Sequence, residues 1–282
     1  MSTWAHLIRF VAVEDGKVHL GQPIDNARDI GLDTFDEVTV QAFRIEGTIF
    51  DGRVTKEVVT VKKLLAPIAK EECTYIRCIG MNYRDNAKVR NAPLLCSMFT
   101  KPRTALADPF PAPLSVPKTS QDDSSDYEAE LCVVIGRGGR NIAKEDALNH
   151  VLGYTVSNDV SSRRLQMSDQ QWSFSEGLDS SCPIGIPSAA AHLGYIQRPD
   201  CASRHDRVGD EPKSNMVFGV AELISYLSQG TTLEPGALVL TGTTAGVGFK
   251  RNPKIFLQDG GDIRVYIQAL GTLLNRVKYE DW

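Results

Sequence analysis

Apolar and polar positions alternate over short distances along most of this chain, a period that marks strands more often than helices. Leu7-Ile8-Arg9-Phe10-Val11 and Val18-His19-Leu20 flank Glu14-Asp15-Gly16-Lys17, whose Asp-Gly pair predicts a hairpin. Val38-Thr39-Val40 and Glu57-Val58-Val59-Thr60-Val61 continue that texture, so residues 1–70 read as a small β-rich unit with no evident chemistry. Ile76 to Gly80 predicts a strand ending at a glycine, and Met81 to Ala87 a turn entering a helix. Pro102, Pro109, Pro111, Pro113 and Pro117 then crowd one segment, which predicts a loop without regular structure.

The stretch around which the rest is organised follows that loop. Leu131 to Ile135 is a short β-branched apolar run, the mark of a strand covered on both faces. Side chains alternate in a strand, so Glu128 and Glu130 share one face. Two like charges that close cost on the order of 1 kcal/mol or more unless a cation lies between them. A hard divalent ion, Mg²⁺, Mn²⁺ or Ca²⁺, would serve; the alternative is an exposed edge strand whose glutamates face water.

Beyond it, Gly136-Arg137-Gly138-Gly139-Arg140 lacks the spacing of a phosphate-binding loop and reads as a turn. Lys144 to His150 looks helical, and Leu152 to Ser157 reads as a second interior strand ending at Asn158-Asp159. Asp159 is either a third carboxylate for the pair or a helix cap for Ser161 onward. Gln197 to Lys213 reads as an irregular polar loop. Val220, Leu223, Ile224 and Leu227 recur at helical spacing. A strand from Ala237 to Leu240 leads into Thr241 to Gly246, and Gln258 to Asp262 predicts a hairpin turn between two strand-like runs.

The net charge of −4 and the absence of a basic run with interleaved aromatics argue against nucleic acid as a partner. No apolar stretch approaches the roughly 20 residues of a membrane span, and Met1 to His6 does not look like a signal peptide, so a cytoplasmic location is expected. Cys73, Cys78, Cys96, Cys132, Cys182 and Cys201 fall in no C-x-x-C pair and read as reduced thiols.

Four blocks in order, Ile79-Gly80-Met81-Asn82-Tyr83, Asp126 to Leu131, Gly153 to Ser161 and Leu240 to Gly248, resemble the fumarylacetoacetate hydrolase family from about Thr74 to the C-terminus. The resemblance implies an α+β, mainly β fold: a mixed β-roll over residues 71–282 behind the small N-terminal domain, in a homodimer. It implies Mg²⁺ or Mn²⁺ held by Glu128, Glu130 and Asp159. Arg163 would hold a substrate carboxylate and Thr243 would contact the substrate, a small dicarbonyl or oxo acid that undergoes C–C hydrolysis, decarboxylation or tautomerisation.

The chain departs from the pattern in three places. Asp85-Asn86-Ala87-Lys88-Val89 stands where the family carries Asp-His-Ala-x-Glu, and Asn86 cannot take a proton near neutral pH. Glu176 stands where a lysine is usual, and Arg164 replaces an acid. His6, His19, His150, His192 and His205 are distant in sequence and read as structural or exposed. Asn86 and Glu176 therefore join Arg163 and Thr243 as candidate catalytic residues. An intact ligand set beside an absent base predicts chemistry through a metal-bound enolate: decarboxylation, tautomerisation, C–C cleavage or a biosynthetic cyclisation. The alternatives are an ordinary acylpyruvate or fumarylacetoacetate-type hydrolase, and a binding or scaffold protein with a structural metal.

Overall fold

Four strands, Ile8–Ala12, Val18–Pro23, Gln41–Glu46 and Arg53–Leu65, close into a barrel at the N-terminal end. The computed structural model describes residues 4–83, 97–168, 171–189, 200–203, 206–208 and 216–281. The first hairpin turns at Gly16, at φ +68°, a conformation that glycine adopts without a Cβ penalty. Val38 to Val40 lead into the third strand and are not part of it. A short helix, α1 (Ile30–Phe35), is capped by Asp29, whose carboxylate accepts from Leu32 N–H. The same carboxylate accepts from the Thr272 N–H at 3.1 Å and hydroxyl at 2.6 Å, which fastens the barrel to the C-terminal strands.

The main sheet has six strands in the order Ser188–Ala189, Val151–Asn158, Ala129–Ile135, Leu238–Thr243, Ile76–Gly80 and Ser97–Lys101. Its pairings are antiparallel except for the parallel pair Leu238–Thr243 with Ile76–Gly80, so the sheet is mixed. All seven residues of Ala129–Ile135 are buried, as its apolar run predicts. Alternation divides them between two cores. Ala129, Leu131, Val133 and Ile135 pack with Leu114, Val265, Leu273 and Val277 of the second sheet. Cys132 and Val134 pack on the opposite side with Leu240, Ile76 and, from the N-terminal region, Trp4, Leu7 and Ile49. Each of the valine, leucine and isoleucine side chains contributes roughly 1.5 to 3 kcal/mol when fully buried. Helix α4 (Val220–Leu227), the fourth helix among the described residues, buries Val220, Leu223, Ile224 and Leu227, the set its periodicity selects.

Several local expectations are corrected. The proline-rich segment is not wholly irregular: Pro113–Val116 is a strand, parallel to Gly271–Tyr279 at the edge of a five-stranded sheet. Proline is tolerated there because it is the first residue of an edge strand. Within Gln197 to Lys213, Asp200–Ser203 and Asp206–Val208 pair as strands of that same sheet. Lys144 to His150 yields only a 3₁₀ turn at Ala147–His150. The C-terminal hairpin joins Asp262–Ile267 to Gly271–Tyr279, one turn later than Gln258 to Asp262. Asp159 caps no helix: α2 (Arg163–Ser168) begins four residues on. Cys73, Cys78, Cys132 and Cys182 are buried and free. No helix among the described residues is long and apolar enough to cross a membrane. Asn86 and Val89 lie outside the described residues.

Candidate metal centre

Glu130 lies in the middle of the sheet, opposite Ser157 on one neighbouring strand and Thr243 on the other. Its Oε2 accepts the Gly242 N–H at 2.7 Å. Gly242 sits at φ +99°, and a Cβ there would meet Asn82 Cβ at 2.9 Å and Ile79 O at 3.0 Å, so glycine lets the two strands close beneath the carboxylate. Glu128 and Asp159 are pinned to each other through the backbone. The Asp159 N–H donates to Glu128 O at 2.8 Å, and the Glu128 N–H donates to Asn158 Oδ1 at 3.0 Å.

The result is one carboxylate oxygen from each of Glu128, Glu130 and Asp159, all within 4.8 Å of one another. Glu130 and Asp159 are buried, and the Glu128 side chain is 16% exposed. Both Asp159 oxygens lie in the interior with no hydrogen-bond donor among the described residues. Lys101 Nζ stands 2.6 Å from Asp159 Oδ1 as an ion pair, at an angle that makes no hydrogen bond. Burial, reinforced by the Asp159 and Glu128 charges, pushes the Glu130 carboxyl well above the usual carboxylate range. Burial raises Glu128 as well, although Arg163 opposes it.

A buried cluster of three acids, one of them without a hydrogen-bond donor among the described residues, favours a compensating cation. Their hard oxygen donors suit Mg²⁺, Mn²⁺ or Ca²⁺, so the donor set fits the ion that the sequence resemblance implies. Charge points the same way. Among the described residues, the acids Asp126, Glu128, Glu130, Asp159 and Glu176 face two cations, Lys101 and Arg163, and a dication would offset the surplus negative charge.

Arg163, at the start of α2, acts as a clamp. Its Nε donates to Asp126 Oδ2 at 2.8 Å, Nη2 to Glu128 Oε1 at 2.5 Å, and Nη1 to Gln166 Oε1 at 3.1 Å. Asp126, fully buried, also accepts the N–H groups of Gly248 at 2.8 Å and Phe249 at 3.1 Å. One acid thus ties the arginine to the segment after the Thr-Gly-Thr-Thr block. The Thr243 hydroxyl donates to Ala129 O at 3.1 Å beside Glu130. Arg164 points away to the surface, where it pairs with Asp122.

Glu176 closes α3 (Trp172–Ser175) at its C-terminal cap. Its carboxylate accepts from Ser161 Oγ and from Gln166 Nε2, each at 2.6 Å. Burial first, and the Asp159 charge second, push its pKa up to about 8 against the pull of Lys101. Lys101 Nζ lies 3.8 Å from Glu176 Oε2 and donates to Ser181 Oγ and Val160 O, both at 3.2 Å, and to the Glu176 carbonyl. Burial works against its ammonium, yet Asp159 and Glu176 outweigh that and hold it protonated. The acid at position 176 therefore has a cation beside it.

Reading the sequence misses Lys101 and gives Asp126 no role. Alternation in Ser97–Lys101 carries the missing signal, because Lys101 shares a face with buried Phe99. Two described histidines are occupied elsewhere, His19 with Asp15 and His150 with Asp146 and Arg137 O. His6 lines a cavity beside α1.

Residues 75–278 match the family model for the C-terminal domain of fumarylacetoacetate (FAA) hydrolase. The chain is 43% identical to a caffeoylpyruvate hydrolase of Neonothopanus nambi over 99% of this chain and 95% of that one. It is 39% identical to an oxaloacetate tautomerase of Bacillus subtilis over 76% of this chain and 73% of the relative. Among solved structures, a 2-hydroxyhepta-2,4-diene-1,7-dioate isomerase from Mycobacterium marinum superposes with a TM-score of 0.79 at 28% identity, covering 99% of this chain and all of the other.

Proposed function

The chain belongs to the fumarylacetoacetate hydrolase family of enzymes, and from that premise we propose that it acts on an enolisable 1,3-dicarbonyl or 2-oxo acid. Glu128, Glu130 and Asp159 would hold a divalent cation. The observation that carries this reading is the buried convergence of those acids, with both Asp159 oxygens lacking a hydrogen-bond donor among the described residues. When bound, such an ion supplies Lewis-acid chemistry, drawing electron density from a carbonyl oxygen so that the neighbouring C–H or C–C bond ionises more easily.

The remaining work falls to the chain's own residues. Arg163 fixes Glu128 through its bonds to Asp126 and Glu128, and the Nη1 N–H not held by Gln166 is the one left for a substrate carboxylate. Lys101 adds a fixed positive charge where negative charge develops. Glu176, protonated at neutral pH with a pKa of about 8, is the group we assign to proton transfer in place of Asn86. Proton transfer at the carbon between two carbonyls, a tautomerisation, is the least demanding reaction for this set.

A second reading is hydrolysis of an acylpyruvate, in which water adds across the C–C bond to give pyruvate and a carboxylic acid. It is favoured by the 43% identity to caffeoylpyruvate hydrolase along nearly the whole chain.

The test is to assay the purified protein with Mg²⁺ for decay of the oxaloacetate enol and for pyruvate release from acylpyruvates. Enol decay with little pyruvate supports the first reading, and rapid pyruvate release the second. Absence of both, together with no thermal shift on oxalate, leaves the scaffold alternative and overturns the proposal, as does unchanged turnover in Glu130→Gln.

A further inference from the structure

A cavity of about 370 Å³ opens at the same end of the main sheet as the acid trio, lined among others by Ser97, Met98, Phe99, Gln166, Met167 and Trp172. Its volume falls within the roughly 300 to 1,000 Å³ of small-molecule sites. Strand order sets its separation from the trio. Ser97–Lys101 is three strands from Ala129–Ile135, or roughly 14 Å at about 4.8 Å per strand. The level matches too: Gly80 pairs with Ser97, and Gly242 beneath Glu130 packs against Ile79 and Asn82. Gln166 spans the gap, lining the cavity while bonded to both Arg163 and Glu176.

The lining has a defined chemistry. The Trp172 indole meets Phe99 edge to face, with centroids 5.7 Å apart at 71°. A Cβ on Gly80 would lie 2.8 Å from the indole, so glycine at that position lets the ring approach the backbone closely. Met98 and Met167 are 47% and 65% exposed, two flexible thioethers beside an aromatic pair. Ser97, Gln166, Gln171 and Ser173 share the wall with them and supply its polar atoms.

Resting on the functional reading above, we propose that this cavity receives the acyl tail of the substrate, and that the tail is flat and unsaturated or aromatic. The dicarbonyl head would sit at the acids and the tail would run past Gln166 onto Trp172, between the two methionines. Trp172 and Met167 are thus specificity-determining residues, and Gly80 sets the position of the indole.

The experiment compares acetylpyruvate with an aryl-substituted acylpyruvate in wild type, Trp172→Ala, Met167→Ala and Trp172→Phe. The expected result is that Trp172→Ala lowers kcat/KM for the aryl substrate at least tenfold more than for acetylpyruvate, mainly through KM. Met167→Ala shifts the ratio in the same direction by a smaller factor, and Trp172→Phe restores most of it. Equal losses on both substrates, or none on either, overturn the tail site while leaving the functional reading intact. A wild-type protein that converts neither acylpyruvate overturns the tail site, and refutes the functional reading as well if it also leaves the oxaloacetate enol unchanged.

Discussion

Lys101 Nζ stands 2.6 Å from Asp159 Oδ1, and both side chains are wholly buried. A lysine in that position bridges two acids from separate segments, Asp159 after one strand and Glu176 at the end of α3. Removing one partner of such a buried set leaves charge uncompensated, which costs about 3 to 5 kcal/mol. Lys101→Met is therefore expected to lower unfolding free energy by that amount in EDTA. Mg²⁺ should recover part of the loss, because a dication also offsets the acids. Urea denaturation with and without Mg²⁺ checks it, and an unaltered midpoint in EDTA would count against the bridge.

Mg²⁺ is expected to raise the melting temperature of the wild type, and Glu130→Gln and Asp159→Asn should each abolish that rise. A ligand at about 100 times its Kd stabilises by about 2.7 kcal/mol, so the wild-type effect is readily measured by differential scanning fluorimetry. Turnover should fall at least about 100-fold in both variants, within the range that an electrostatic catalytic group supplies.

The metal-free protein should lose stability as pH rises. Glu176 has a pKa near 8 when folded against an ordinary 4.5, so between those values the folded chain keeps a proton that the unfolded chain has released. Its contribution is complete below about pH 4.5 and is lost as pH climbs through about 8, at up to about 1.4 kcal/mol per pH unit. Glu130, raised by burial, adds in the same direction. Stabilisation by Mg²⁺ should grow over the same interval, because the ion competes with protons for the acids. Chemical denaturation in EDTA and in Mg²⁺ at about pH 5.5, 7 and 8.5 tests both trends.

Asp126→Asn removes the charge that holds Arg163 and keeps nearly the same shape. Supporting residues around metal ligands are typically worth 10- to 100-fold in metal affinity or activity, and a loss of that size in kcat/KM is expected here. Glu128 would lose its fixed arginine, so Mg²⁺ affinity should weaken as well, measurable by calorimetric titration. Unchanged Mg²⁺ affinity would show that Arg163 does not depend on Asp126 for its position.

The acids themselves could be read from the chain. Alternation predicts a shared face for Glu128 and Glu130; the structure brings both together with Asp159, although Glu128 lies just before the strand Ala129–Ile135 and Asp159 just after Val151–Asn158. The periodic helix at Val220–Leu227 was equally legible. The partners of the acids were harder to find, because they come from distant segments whose local pattern does not reveal them. Lys101 sits where a strand meets a proline cluster, and only parity with Phe99 points it inward. Asp126 is brought to Gly248 and Phe249 by the closing of the sheet, across more than a hundred residues of sequence. The edge strands at Pro113–Val116 and Asp206–Val208 were concealed by prolines and polar residues, which edges accept and interior strands do not.

Odd-numbered residues of Ala129–Ile135 join one core, while Cys132 and Val134 continue the face of Glu130 into another. Inserting or deleting a single residue between Glu130 and Cys132 would exchange those allegiances, sending each following apolar side chain to the wrong wall or turning the acid away from Asp159. The length of this strand, more than the identity of any one of its apolar residues, is what keeps Glu130 turned toward Asp159.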